Sequence, residues 1–218
     1  MTLGKSIRNV YAVNMNANAN SVNIKRPRAS KQSYHHGDLR EAALQGGLDI
    51  LAESEGYDGL GLRALARKIG VSATALYRHF PDKEALLSAV ATEGMERLGK
   101  IQKEASQAAG GGREGFAAKG VAYVEFAVTN PALFRLVFRQ APGADLLNAE
   151  LSEVGTAMAG LREHVTDMMP SGISEESQKI AALQAWSLVH GLALLILDRQ
   201  VEFEPELVRQ VVMLPRLS

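Results

Sequence analysis

Between residues 72 and 83 the chain reads "SATALYRHFPDK". It sets a hydroxyl on Thr74, a phenol on Tyr77, a guanidinium on Arg78 and an imidazole on His79 around two large apolar residues, Leu76 and Phe80. Each polar tip donates hydrogen bonds, and Arg78 adds a permanent positive charge. Such a set suits a surface of anionic oxygens and hydrogen-bonding edges more than it suits bond-breaking chemistry. The remaining reactive candidates are sparse. Of the five histidines, His35 and His36 are adjacent and share one metal poorly, while His79, His164 and His190 stand far apart. No HExxH run and no Ser/His/Asp grouping has supporting context. Cysteine is absent, which excludes disulfides, thiolate metal sites and a cysteine nucleophile. No catalytic residue, metal or cofactor is therefore expected, and an enzyme is the weaker rival class.

Those polar tips need a scaffold. Leu62, Leu65, Ala66 and Ile69 follow the i, i+3, i+4, i+7 rule and predict a helix over 62–69 that points Arg63, Arg67 and Lys68 away from its apolar stripe. Gly70 suits the left-handed residue that ends a helix, and Ser72 suits the N-cap of the next. On a wheel for Ala73 to Phe80, Leu76 and Phe80 coincide, with Thr74 and Arg78 nearly opposite and Tyr77 and His79 to either side. Two short helices across a tight glycine turn predict a helix-turn-helix whose polar side faces DNA. Ser72, Ala73 and Thr74 would enter the major groove, with Thr74 meeting a base edge or a thymine methyl. Arg78 would take guanine or a phosphate; Tyr77 and His79 would hold phosphates and set register. Asp82 is expected to cap the following helix, leaving Lys83 in a first turn whose free amides attract phosphate. A plain helical hairpin with solvated basic residues has the same spacing.

Charge is distributed consistently with the DNA reading. Lys plus Arg and Asp plus Glu are 24 each in 218 residues. Residues 61–83 nevertheless hold Arg63, Arg67, Lys68, Arg78 and Lys83 against Asp82 alone, while 34–60 hold Arg40 against six acids. A basic block inside a neutral chain is a local footprint for a polyanion. Residues 1–33 carry six cations and no acid and are expected to be a disordered basic arm. Breaks at "EGYDG", "GVS", "FPD", "GGG", "TNP", "APG", "PSG" and Pro205 divide the rest into about nine helices with no strand signal, an all-α chain. Ile180 to Leu197 is almost a bilayer span, but Gln184, Ser187 and His190 interrupt it, so a buried or dimer-forming helix in a cytoplasmic protein is expected.

Residues 56–87, "GYDGLGLRALARKIGVSATALYRHFPDKEALL", resemble the DNA-binding head of TetR-type transcriptional repressors. The pattern is carried by Gly70, Val71, Ser72, Leu76, Tyr77, His79, Phe80, Lys83 and Leu86. "YHHGDLREAAL", residues 34–44, resembles the way one branch of that family begins its first helix. The resemblance implies an all-α homodimer with a three-helix head, residues 34–82, followed by a helical ligand-binding and dimerisation domain, 83–218. It gives DNA-contact roles to Ser72, Thr74, Tyr77, His79 and Lys83. Gly61 departs from the Ser or Thr usual there, leaving Arg63 to compensate. Gly46 and Gly47 inside the first helix are a second oddity, weakening it by about 1 kcal/mol each.

In the larger domain, "NPALFRLVF" and "AWSLVHGLALLILDR" resemble a TetR C-terminal type marked by Trp186, His190 and Gly191. Phe116, Tyr123, Phe126, Phe134, Phe138, Met158, Trp186 and His190 are expected to line a small-molecule pocket between helices 5 to 8, or else simply to fill the core. The helices near 175–199 and 204–214 are expected to form a dimer bundle. The resulting expectation is a repressor that binds a palindromic operator and is released by a small apolar effector. The alternative is a helical binding or scaffolding dimer without operator recognition.

Overall fold

The computed structural model describes residues 36–54, 56–140 and 156–213; the expected basic arm, the "APG" break and His35 lie outside them. Among the described residues there are nine helices and no strand, as the spacing predicts. They are α1 (His36–Ala52), α2 (Leu62–Ile69), α3 (Ala73–Tyr77), α4 (Lys83–Ala108), α5 (Gly112–Thr129), α6 (Pro131–Gln140), α7 (Thr156–Met168), α8 (Glu175–Leu197) and α9 (Pro205–Met213).

Local chemistry sets the boundaries. Gly70 takes φ 74°, the left-handed conformation, and its N–H returns to the Ala66 carbonyl to close α2. The Ser72 hydroxyl accepts from the Ala75 N–H (3.2 Å), and the Asp82 carboxylate accepts from the Ala85 N–H (2.8 Å). Gly61 starts α2 without any side-chain cap. α5 and α6 meet at 107° across Asn130, where Pro131 opens the new helix.

Two expectations are corrected here. The helix anticipated over 73–80 stops at Tyr77, because the N–H groups of His79 and Phe80 both turn back to the Leu76 carbonyl and Pro81 disfavours a helical Phe80. The glycines of α1 are not mere weak points. A Cβ on Gly46 would come within 2.5 Å of Ile69 Cγ2, and one on Gly47 within 2.8 Å of Val90 Cγ2. Their lost helix propensity is offset by close packing of α1 on α2 and α4.

α1, α2 and α3 enclose Leu39, Leu48, Leu65, Leu76 and Phe80, and the first turns of α4 close that core with Leu86 and Val90. α4 then runs on to pack against α5, α6 and α7, while α8 and α9 cover α5 from another side. One continuous helix thus joins the three short helices to the larger bundle.

Candidate nucleic-acid interface and cavity

Burial divides the opening segment as its apolar pair requires. Leu76 is 0% exposed and Phe80 2%, whereas Tyr77 is 48% exposed and Thr74, Arg78 and Ser72 are also exposed. Thr74, Tyr77 and Arg78 therefore stand on the outward side of α3 and its following turn. Arg63, on α2, is exposed as well. Ala73 is half-buried at the helix start.

The other predicted residues are placed differently. His79 is only partly exposed and lines a polar cleft between α1 and α4 with Arg40, Gln45 and Arg97. Lys83 bends back so that its ammonium donates to the Asp58 carbonyl (3.1 Å), across the α1–α2 connection. Lys68 is tied to Glu53 (2.6 Å), which neutralises part of the basic block. Their placement depends on chain segments 15 to 40 residues away, so spacing alone could not reveal it.

A second feature lies in the larger bundle. A cavity of about 480 Å³ opens between α4, α5, α6, α7, α8 and α9, within the size range of small-molecule sites. Of the eight residues expected there, Phe116, Tyr123, Phe138, Met158 and Trp186 line it. Phe126 and Phe134 do not: they are 4% and 1% exposed and belong to the packed core, Phe134 meeting the Tyr123 ring edge-on at 5.7 Å. His190 is also behind the wall. The Tyr123 hydroxyl lies 2.7 Å from His190 Nδ1 and accepts from the Trp186 indole N–H (3.2 Å). The three side chains form one hydrogen-bonded cluster behind the cavity wall. Missed from the sequence were the α4 side chains Ala91, Met95 and Gln102 and, on α5, Lys119. The i, i+4 spacing of Lys119 and Tyr123 was the available signal for the last.

Burial pushes the Tyr123 phenol well above its ordinary range, with the Trp186 hydrogen bond opposing. Burial holds His190 below the usual 6.5. The folded chain therefore prefers the neutral ring. Because the folded pKa is the depressed one, this contribution to stability is complete above the unfolded value and is lost as pH falls through the folded value. Melting temperature followed downward from about pH 7, near the unfolded imidazole pKa of about 6.5, should show an acid limb that His190→Gln flattens.

Among the described residues no three His, Cys, Asp or Glu side chains group as a metal site.

Comparisons with known proteins agree on the class this arrangement defines. Residues 49–90 match the bacterial regulatory proteins of the tetR family, and residues 116–212 match the tetracyclin repressor-like C-terminal domain. A solved protein of unknown function from Rhodococcus sp. RHA1 is 35% identical, with 84% of this chain and 93% of that one covered and a TM-score of 0.64. An uncharacterized HTH-type transcriptional regulator of Haemophilus influenzae is 26% identical over 153 residues, 69% of this chain and 72% of that protein. A TetR-like transcriptional regulator from Rhodococcus sp. RHA1 shares the fold at 17% identity, with 86% and 96% covered and a TM-score of 0.50. The fold and the match define a DNA-binding helix-turn-helix transcriptional regulator. The chain belongs to the TetR family.

Proposed function

We propose that the protein is a homodimeric repressor, working in the cytoplasm, that binds a palindromic operator and leaves it when a small apolar molecule fills the cavity. The observation that carries this reading is the outward face formed by Thr74, Tyr77 and Arg78 over a buried Leu76 and Phe80. Ser72, Ala73 and Thr74 would sit at the groove floor, with Arg78 on guanine or phosphate. Tyr77, Arg63, His79 and Lys83 would take the backbone. Reaching phosphate requires Lys83 to exchange its Asp58 carbonyl for a stronger, charged acceptor.

The dimer is supported by α8. Ala182, Val189, Ala193 and Ile196 bury one side of it, while Ile180, Leu183 and Leu195 are 36–48% exposed on the other. The helix is long and apolar enough to cross a membrane by length and composition, and only 22% of its most apolar window is buried. Gly191 lies on the uncovered side, where an added Cβ would meet nothing within 4 Å. Nothing among the described residues requires glycine there; a second helix crossing closely would. α9, with Leu207 exposed, would complete the bundle.

Coupling between the cavity and the head is supported by α6. Its Val137, Phe138 and Gln140 line the cavity. Arg139 of the same helix lies over the Tyr57 ring (5.7 Å), and Gln140 donates to Glu84 at the start of α4 (3.0 Å). A ligand that favours one position of α6 would shift the head only by its difference in affinity for the two positions.

Selecting bound fragments from random genomic DNA with the purified full chain tests the assignment. A recovered palindrome, with log affinity falling steeply against log salt, is the expected result. Thr74→Ala should then change base preference at one position of each half-site, with binding to other bases retained. Recovery of no enriched sequence over competitor DNA would refute operator recognition.

A further inference from the structure

The cavity wall is apolar over most of its extent, and two charged side chains line it, Glu96 and Lys119. Glu96 is exposed, so water screens it. Lys119 is partly buried, on the face of α5 that also carries Tyr123 and Phe116.

Several polar groups on the wall already have partners. The Tyr123 hydroxyl serves His190 and Trp186. Gln102 donates to the Lys119 carbonyl, Gln140 to Glu84, and Thr92 to the Ser88 carbonyl. Lys119 differs. Its ammonium has three donors, of which one meets the Gly160 carbonyl of α7 at 3.0 Å. Among the described residues it forms no salt bridge. Glu163 and Asp167, both exposed on α7, act on it only through space, and burial outweighs them in drawing its pKa below the ordinary lysine range. A half-buried cation that faces an apolar cavity and contacts no counter-ion among the described residues is suited to an anionic ligand.

Building on the effector reading of this cavity, we propose that Lys119 anchors the carboxylate of an apolar monocarboxylic acid whose body lies along Phe116, Met158 and Trp186. The carboxylate would take the ammonium donors that no described residue occupies, in charge-assisted hydrogen bonds. The Gly160 carbonyl holds the ammonium in place from α7. The apolar remainder gains by leaving water. Glu96 disfavours acids of higher charge and does not reach the anchor's strength from its exposed position.

Trp186 is the chain's one tryptophan and lines the cavity, so its fluorescence reports occupancy. The full chain is titrated with octanoate, decanoate and 4-phenylbutyrate, and with the matched alcohols octanol, decanol and 4-phenylbutanol; decylamine serves as the cationic counterpart. At least one acid should bind about tenfold or more tightly than its alcohol, the gain expected for hydrogen bonding to a charged group. Decylamine should bind more weakly than decanol. Lys119→Met, which keeps an apolar stem, should erase the preference while leaving the alcohol's affinity within about threefold. Acid and alcohol binding equally well, or a preference that survives in Lys119→Met, would overturn the anchor and leave the effector site standing. Tighter binding of decylamine would transfer the role to Glu96 and refute the proposal. Binding of none of the seven probes would overturn both the anchor and the effector reading. The wild-type comparison decides the matter even where the variant folds poorly.

Discussion

Tyr77→Ala should reduce retention on DNA of any sequence by about tenfold or more, the value of a hydrogen bond to a charged phosphate, while barely changing the melting temperature. Its side chain is 48% exposed, and a substitution there strands no hydrogen-bond partner among the described residues. Phe80→Ala, three residues on, should do the reverse. That ring is 2% exposed, sits among Leu76 and the first turns of α4, and has the Arg40 guanidinium 5.9 Å from its centre. Emptying the site costs about 3–5 kcal/mol, a large part of the roughly 5–15 kcal/mol that holds a domain together. Phe80→Ala should therefore lose DNA binding because the head unfolds, with a melting transition lowered by many degrees. Calorimetry beside fluorescence-anisotropy titration on the selected duplex separates the two variants. Equal stability losses in both would show that the Tyr77 face is structural.

Gly191→Leu should convert the proposed dimer to a monomer without damaging the protomer. An added Cβ meets nothing within 4 Å among the described residues, and removing glycine from a helix interior favours that helix by about 1 kcal/mol. The same side chain would stand where a partner helix must cross. Leu195→Glu, at a residue 47% exposed on that side, should act in the same direction by placing a charge in an apolar contact. Light scattering should report a single chain in both cases, with helical circular dichroism retained. Affinity for a palindrome should fall by more than a hundredfold, since one head then binds where two had bound together. A Gly191→Leu protein that remains dimeric would move the interface away from this face of α8.

The contrast between the two halves shows what each level of description contributes. Around α2 and α3 the wheel of Leu62, Leu65, Ala66, Leu76 and Phe80, with Gly70 and Ser72 between, already stated which side is buried. Local rules suffice there because helix period, glycine turn and cap all act within about four residues. The same rules overran α3 by three residues, since the tightening onto the Leu76 carbonyl ahead of Pro81 is a matter of backbone geometry.

In the larger bundle, sequence reasoning recognised the aromatic supply but not its assignment. Phe116 and Phe138 line the cavity, whereas Phe126 and Phe134 fill the core. Nothing in the type of a phenylalanine tells these apart; what separates them is which neighbouring helix lies opposite. The oddity of Gly46 and Gly47 was visible in the chain, but its reason, the side chains of Ile69 and Val90, arrives from α2 and α4.

By itself, then, the order of residues determined an all-α chain with a helix-turn-helix head, its buried pair and its exposed donors, because each of those depends on periodicity and on short-range capping. Tertiary structure alone decided that Lys83 and Lys68 have partners, that His190 stands behind Tyr123 rather than in the cavity, and that Lys119 faces an apolar space. Those facts arise from contacts between segments tens of residues apart, and such contacts leave no period in the chain.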